Sequence, residues 1–190
     1  RALGMVTATN IVARDNVPAF ANSAYDGYAV QASNLHGAST ATPITLDVVD
    51  EIQAGHTGSV QIKSGQATRI MTGAPVPDGA DAIVPFESTD RVDWDRLDTS
   101  RPHTTDNEPT IVSVLETIKP GENIRPAGGD VRSGSIVLET GSTLGAPEIG
   151  VLASVGISHV LVHPRAVVAL LPTGNEIVEL DTPFKFGQVR

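Results

Sequence analysis

The chain has 190 residues, a formal net charge of −9 and no cysteine. That excludes disulfide scaffolds, thiolate metal sites and the clustered Lys and Arg of a nucleic-acid surface, and it is compatible with a reducing cytoplasm. Hydrophobic residues make up 40 %, enough for a core, while 4 % aromatics with 18 Gly and 13 Pro favour short strands and turns over a helical bundle, and no apolar run nears a membrane span.

Residues 1–14 carry apolar Leu3, Val6 and Ile11 without a clear period and read as a helix end leading into a strand. Residues 17–30 are rich in turn formers. Within them "NSAYDGYAV" combines Asn22, Ser23 and the pair Asp26-Gly27 with two tyrosines, and the Asp-Gly pair by itself reads as a hairpin turn. Residues 44–48 alternate apolar and polar, as a half-buried strand does. Residues 60–63 repeat the alternation, Ser64-Gly65 makes a turn, and residues 68–71 form another strand.

Residues 72–87, "TGAPVPDGADAIVPFE", begin with a stiff, proline-bearing loop and run into apolar Ala82-Ile83-Val84. Residues 90–109 are polar and read as an exposed excursion or hairpin tip. Strands resume at 111–114 and 135–138, a spacing that suggests a β-barrel or sandwich. Residues 146–156 predict a short helix. Pro147 suits its first position, Glu148 the positive end of its dipole and Gly156 its end, with Ile149, Leu152 and Ala153 on one face. A strand at 160–162 follows. The continuous run Val167-Val168-Ala169-Leu170-Leu171 then predicts a parallel strand buried on both faces, opening a domain whose remainder the chain does not contain.

Four places share one arrangement: a short strand, a Gly-bearing turn and one oxygen-bearing side chain. They are Asp26 in "SAYDGYA", Thr72 in "RIMTGAP", Asp130 in "RPAGGDV" and Glu176 in "LPTGNEIV". Glycine lets backbone approach a ligand, turn amides can face an anion, and a carboxylate can hold a cation or take a proton. His36, His56, His103, His159 and His163 lack metal-ligand spacing, and no phosphate loop, dinucleotide fingerprint or nucleophile elbow is present. Arg69, Arg125 and Arg132 lie near the Gly-rich turns, either to meet an anion or to be solvated or paired with acids.

Taken together and in order, "VPAFANSAYDGYAV", "TRIMTGAPVPDGADAIV", "ENIRPAGGDVRSGSIVLETGSTLGAPEIGVLASVGISHVLVHPR" and "VVALLPTGNEIV" resemble the N-terminal region of molybdopterin molybdenumtransferase. This family is called MoeA in bacteria and the E domain of gephyrin in animals. The resemblance implies a mainly β fold with some α. An elongated β-rich domain (residues 1–11 and 135–166) would carry an inserted β-barrel-like domain (12–134), and residues 167–190 would supply the first strand of a truncated α/β molybdopterin-binding domain.

The resemblance also implies a cytoplasmic transferase of molybdenum cofactor biosynthesis. It would insert molybdate into adenylylated molybdopterin with Mg²⁺ and release AMP, as a homodimer and with a molybdopterin adenylyltransferase as a further partner. The family's functional residues fall on Asp26, Thr72 and Glu176 as catalytic groups and on Asp26, Thr72, Asp130 and Glu176 as substrate contacts, with the metal ligands unassigned. Asp26 and Glu176 would orient substrate or cation, Thr72 would donate to an anionic oxygen and Asp130 would support the site. Three positions depart from the family pattern: Gly129 replaces a Glu, Asn175 an Asp and Pro172 a Ser. Fewer carboxylates weaken cation binding, so the alternative is a non-catalytic, dimerising scaffold module. On either reading, this polypeptide alone is not expected to catalyse the reaction.

Overall fold

The computed structural model describes residues 2–91 and 111–190. Most of the polar excursion at 90–109, and His103 with it, lies outside them. The fold is mainly β, as expected, with a five-stranded sheet curled into a half-barrel.

That sheet runs in the order β6 (Ala82–Pro85), β3 (Gly27–Val30), β5 (Gln66–Ile70), β4 (Ile44–Ile52), β7 (Ile111–Val114). All its ladders are antiparallel except β4–β5, which is parallel and shifts register between Val48 and Asp50. Both faces are covered. Tyr28, Val30, Leu46, Ala67, Val84, Val112 and Val114 pack on one side with Leu35 and Phe86, while Ala29, Ile52, Ile70 and Ile83 pack on the other with Ile62 and Ala74. Strand β3 is buried at every position, so its "GYAV" carries no polar alternation to mark it.

Two short ladders complete the β structure. Strand β2 (Asn22–Ser23) pairs with β8 (Ile124–Arg125), and β1 (Ile11–Val12) pairs with β9 (Ile136–Leu138). Ile11, Leu144 and Leu152 form a third apolar cluster, joined by Ala2, Val137, Leu138 and Val162. The N-terminal residues hold no helix; they enter through bridges from Val6 to Thr143 and from Thr7 to Val162.

Helix α1 (Ala146–Ser154) begins and ends where the sequence predicts. The Glu148 carboxylate accepts a hydrogen bond from the Gly145 amide at 2.9 Å, which satisfies one orphan donor of the first turn. Gly156, at φ +71°, ends the helix, and the Ile157 amide reaches back to the Leu152 carbonyl at 2.9 Å. Its buried side is Leu152 with Val155 rather than the expected Ile149–Leu152–Ala153 face, since Ile149 is 38 % exposed.

Three predicted strands do not form as such. Residues 60–63 make a loop in which Ile62 is buried while its amide bonds the Asp78 carbonyl at 2.9 Å. Residues 160–162 form no ladder: Val162 bridges Thr7, and the Leu161 carbonyl accepts from the Ala8 amide at 2.9 Å. The run 167–171 has no ladder partner among the described residues and its apolar side chains lie open, Val167 at 98 % exposure. A strand buried on both faces exists only between neighbours, and among the described residues none pairs with this one. Among the described residues no helix is long and apolar enough to cross a membrane.

Candidate functional site

Strands β3 and β5 are antiparallel neighbours with Gly27 opposite Ile70. The residue before Gly27 therefore comes level with those just after Ile70. This register delivers Asp26 to Thr72. One carboxylate oxygen, Asp26 Oδ1, accepts from the Thr72 amide at 2.6 Å and from the Thr72 hydroxyl at 2.7 Å. Asp26 Oδ2 makes no hydrogen bond within the described residues, and both side chains are exposed.

Each loop is built for this meeting. Thr72 is the second residue of a four-residue turn closed by the Ala74 amide on the Met71 carbonyl at 3.0 Å. Gly73 follows it at φ +82°, the conformation a type II turn requires of its third residue. Gly27 is not the corner of a hairpin turn. It opens β3, and a Cβ there would lie 2.0 Å from the Val84 carbonyl oxygen, so close approach of β6 demands glycine.

The loop before β3 is held from outside the sheet by Asn123, whose φ of +61° is unusual for a non-glycine residue. Its carbonyl accepts from the Ala24 amide at 2.9 Å and its side-chain amide donates to the Ile83 carbonyl at 2.9 Å. The Asp26 carbonyl in turn accepts from the Phe86 amide at 3.2 Å. Sequence reasoning passed over Asn123. Its signal is an Asn in an otherwise Gly-type position next to a Gly-bearing turn.

The two tyrosines of this stretch have separate tasks. Tyr28 is buried edge-on to Phe86, with ring centroids 5.3 Å apart. Tyr25 stands open beside Asp26 at 52 % exposure. Arg69 does not await an anion: it is buried, forms an ion pair with Glu51 at 3.0 Å and lies 5.5 Å from the centre of the Phe86 ring. Arg125 and Arg132 remain exposed at the surface.

The other two predicted site residues are not joined to this pair by any hydrogen bond or ion pair. Asp130 is exposed on the Gly128–Gly129 turn, with its amide on the Val17 carbonyl at 2.9 Å. It lines an open groove of about 410 Å³ with Arg132, Ile136 and Val151. Glu176 is exposed too, and its carboxylate lies over Gly174, where a Cβ would come within 2.2 Å of both oxygens. Its carbonyl accepts from the Val189 amide at 2.7 Å.

Among the described residues no group of three His, Asp or Glu could hold a metal ion. The site offers a cation one carboxylate, Asp26. A second acid, Asp50, sits on the irregular part of β4, and its carboxylate accepts from the Ser59 amide at 2.8 Å and the Ser59 hydroxyl at 3.1 Å. Burial alone would raise its pKa. The hydrogen bonds from Ser59, Glu51 and Val60 outweigh that and hold Asp50 below the ordinary aspartate range. Those bonds make it a latch for the 57–61 loop.

A family model described as the MoeA N-terminal region (domain I and II) matches residues 1–156. Molybdopterin molybdenumtransferase 2 of Mycobacterium tuberculosis is 37 % identical over 190 residues, which is 100 % of this chain and 43 % of that protein. Molybdopterin molybdenumtransferase of Staphylococcus epidermidis is 35 % identical over 188 residues, 99 % of this chain and 41 % of that one. The crystal structure of a molybdopterin biosynthesis MoeA protein from Pyrococcus horikoshii superposes with a TM-score of 0.78 at 31 % identity, covering 100 % of this chain and 44 % of that chain. The chain thus spans less than half the length of these relatives.

Proposed function

The chain belongs to the family of MoeA N-terminal regions, and on that premise we propose that it is part of a molybdenum insertase of molybdenum cofactor biosynthesis. The reaction is transfer of molybdate into adenylylated molybdopterin with release of AMP. The observation that carries this reading is the Asp26–Thr72 pair, presented at the surface by two stiff turns of the half-barrel.

The chemistry of the pair is that of an oriented carboxylate. Thr72 spends both of its donors on Asp26 Oδ1, so it holds the carboxylate rather than donating to a ligand oxygen. Asp26 Oδ2 is then the acceptor available to a substrate group or a cation. Mg²⁺ fits on limited terms. Such ions are commonly held by one or two carboxylates together with substrate phosphates and water, and Asp26 would be the carboxylate supplied here. A cation so held would offset the charge of the phosphate and molybdate oxygens.

Asp130 and Glu176 belong to the same proposal as substrate contacts. They would join Asp26 and Thr72 in a cleft completed by an α/β domain and by the second subunit of a homodimer, with residues 1–11 and 135–166 as the dimerising domain and 12–134 as the inserted one. A molybdopterin adenylyltransferase is the partner that would supply the adenylylated substrate, in the cytoplasm. The deciding experiment is Asp26→Ala in the full-length protein, assayed for molybdate-dependent cofactor formation. Loss of product with the fold retained, at a slightly lowered melting temperature, is expected. Full activity in that variant would remove Asp26 from the site, and a full-length protein that forms no cofactor would leave the scaffold-module reading in its place.

A further inference from the structure

We propose that Ser23 is a positioning residue for the Asp26 carboxylate, a proposal that rests on the insertase reading of this site. Ser23 is fully buried in the short strand β2, yet its hydroxyl is fully used. Ser23 Oγ donates to the Tyr25 carbonyl at 2.5 Å and accepts from the Tyr25 amide at 3.3 Å. Both polar groups of one backbone residue are thus held by one side chain, and no other group among the described residues bonds either of them.

The backbone of Ser23 faces the opposite loop. Its amide donates to the Ala74 carbonyl at 3.0 Å, and its carbonyl accepts from the Gly73 amide at 2.9 Å. Gly73 and Ala74 are the second half of the turn that carries Thr72. One residue therefore ties the Tyr25 backbone to the Thr72 turn, and Asp26 is the next residue along. On its other side Ser23 pairs with Ile124 of β8, so the tie is anchored in the sheet structure rather than in another loop.

The geometry separates this role from simple packing. Asn123 holds Ala24, and the Phe86 amide holds the Asp26 carbonyl, so the loop keeps its ends without the Ser23 hydroxyl. Only the Tyr25 peptide groups between those anchors depend on it. Removing the hydroxyl frees rotation immediately before Asp26, and the carboxylate loses its fixed place against Thr72. Ser23 contacts no reacting group; it acts through Asp26.

The test uses full-length protein with ¹⁵N-threonine. The Thr72 amide, bonded to a carboxylate at 2.6 Å, reports the contact directly. In Ser23→Ala its resonance is expected to move toward the position it takes in Asp26→Ala. The kcat for molybdate insertion is expected to fall roughly ten- to a hundredfold with little change in KM, the size of effect a misplacement of about 1 Å produces. Ser23→Thr, which keeps the hydroxyl, restores both. If Ser23→Ala fails to fold, Ser23→Cys, of similar size with a weak donor, is read in its place. A wild-type Thr72 resonance together with wild-type kcat in Ser23→Ala, or in Ser23→Cys where that is read in its place, overturns the proposal. Activity retained in Asp26→Ala removes the catalytic role of Asp26 instead, and the Thr72 resonance alone then decides the role of Ser23; a full-length wild type that forms no cofactor defeats the insertase reading.

Discussion

A Cβ on residue 27 would lie 2.0 Å from the carbonyl oxygen of Val84. Gly27 and its neighbours in β6 are therefore in contact through bare backbone, and this contact sets the height at which Asp26 leaves the sheet. Gly27→Ala must push β3 and β6 apart along a ladder that runs from Gly27–Pro85 to Val30–Ala82. The expected cost is about 3 kcal/mol, at the upper end of overpacking penalties. Denaturant unfolding measures it, and a variant as stable as the wild type would show that β6 yields without cost.

The Asp26–Thr72 contact is exposed, and so its energetic and functional weights should differ. Thr72→Val removes the hydroxyl donor and keeps the amide donor. Loss of one such bond at the surface costs about 0.5–1 kcal/mol. On the insertase reading, activity of the full-length protein should fall much further, because only the Thr72 amide still holds the carboxylate. A double-mutant cycle with Asp26→Asn isolates the pair. Additive losses in both stability and rate would mean the two residues act separately.

That pairing was the part of the site least legible in the sequence. Asp26 and Thr72 each stood out as an oxygen-bearing residue on a Gly turn, and the ordered motifs identified the family. Their mutual hydrogen bonds depend on the β3–β5 register, which joins residues 46 positions apart. Asp26-Gly27 misread as a hairpin corner for a related reason: the glycine answers a neighbour 57 residues later, not a local turn. Helix α1 was legible because Pro147, Glu148 and Gly156 act within their own turns. The alternation at 60–63 misled because Ile62 is buried by the loop carrying Asp78 and Gly79 rather than by a strand ladder.

Thr68 offers a test of the core itself. It is fully buried in β5, opposite Ala29 of β3 and Asp50 of β4, and its hydroxyl has no hydrogen-bond partner among the described residues. A buried hydroxyl without a partner carries an unrecovered desolvation cost of about 1–3 kcal/mol. Thr68→Val replaces it with a methyl group of similar size. Stability should rise by about 1 kcal/mol, or roughly 2–4 °C in Tm for a domain of this length. A destabilised Val variant would mean the hydroxyl is satisfied in solution, for instance by a buried water.

Asp50 predicts how acid should act on the half-barrel around β4. Its folded pKa is lowered because the hydrogen bonds from Ser59, Glu51 and Val60 more than offset the opposing effect of burial. A carboxylate with a depressed folded pKa stabilises the fold above its unfolded pKa, and that contribution disappears as pH falls through the folded value. The loss should therefore begin as the pH falls into the ordinary aspartate range, about pH 4, continue through the lower folded value, and leave neutral pH untouched. Protonated Asp50 no longer holds the Ser59 amide and hydroxyl strongly, so the 57–61 loop is where the change starts. Asp50→Asn should lower stability at pH 7 and flatten the acid limb of the stability curve relative to wild type. Hydrogen exchange at the Ser59 amide should be faster in the variant at pH 7, and the difference should shrink as the pH falls through the lowered folded value. Equal exchange at pH 7 would show that the Ser59 latch does not depend on the Asp50 charge.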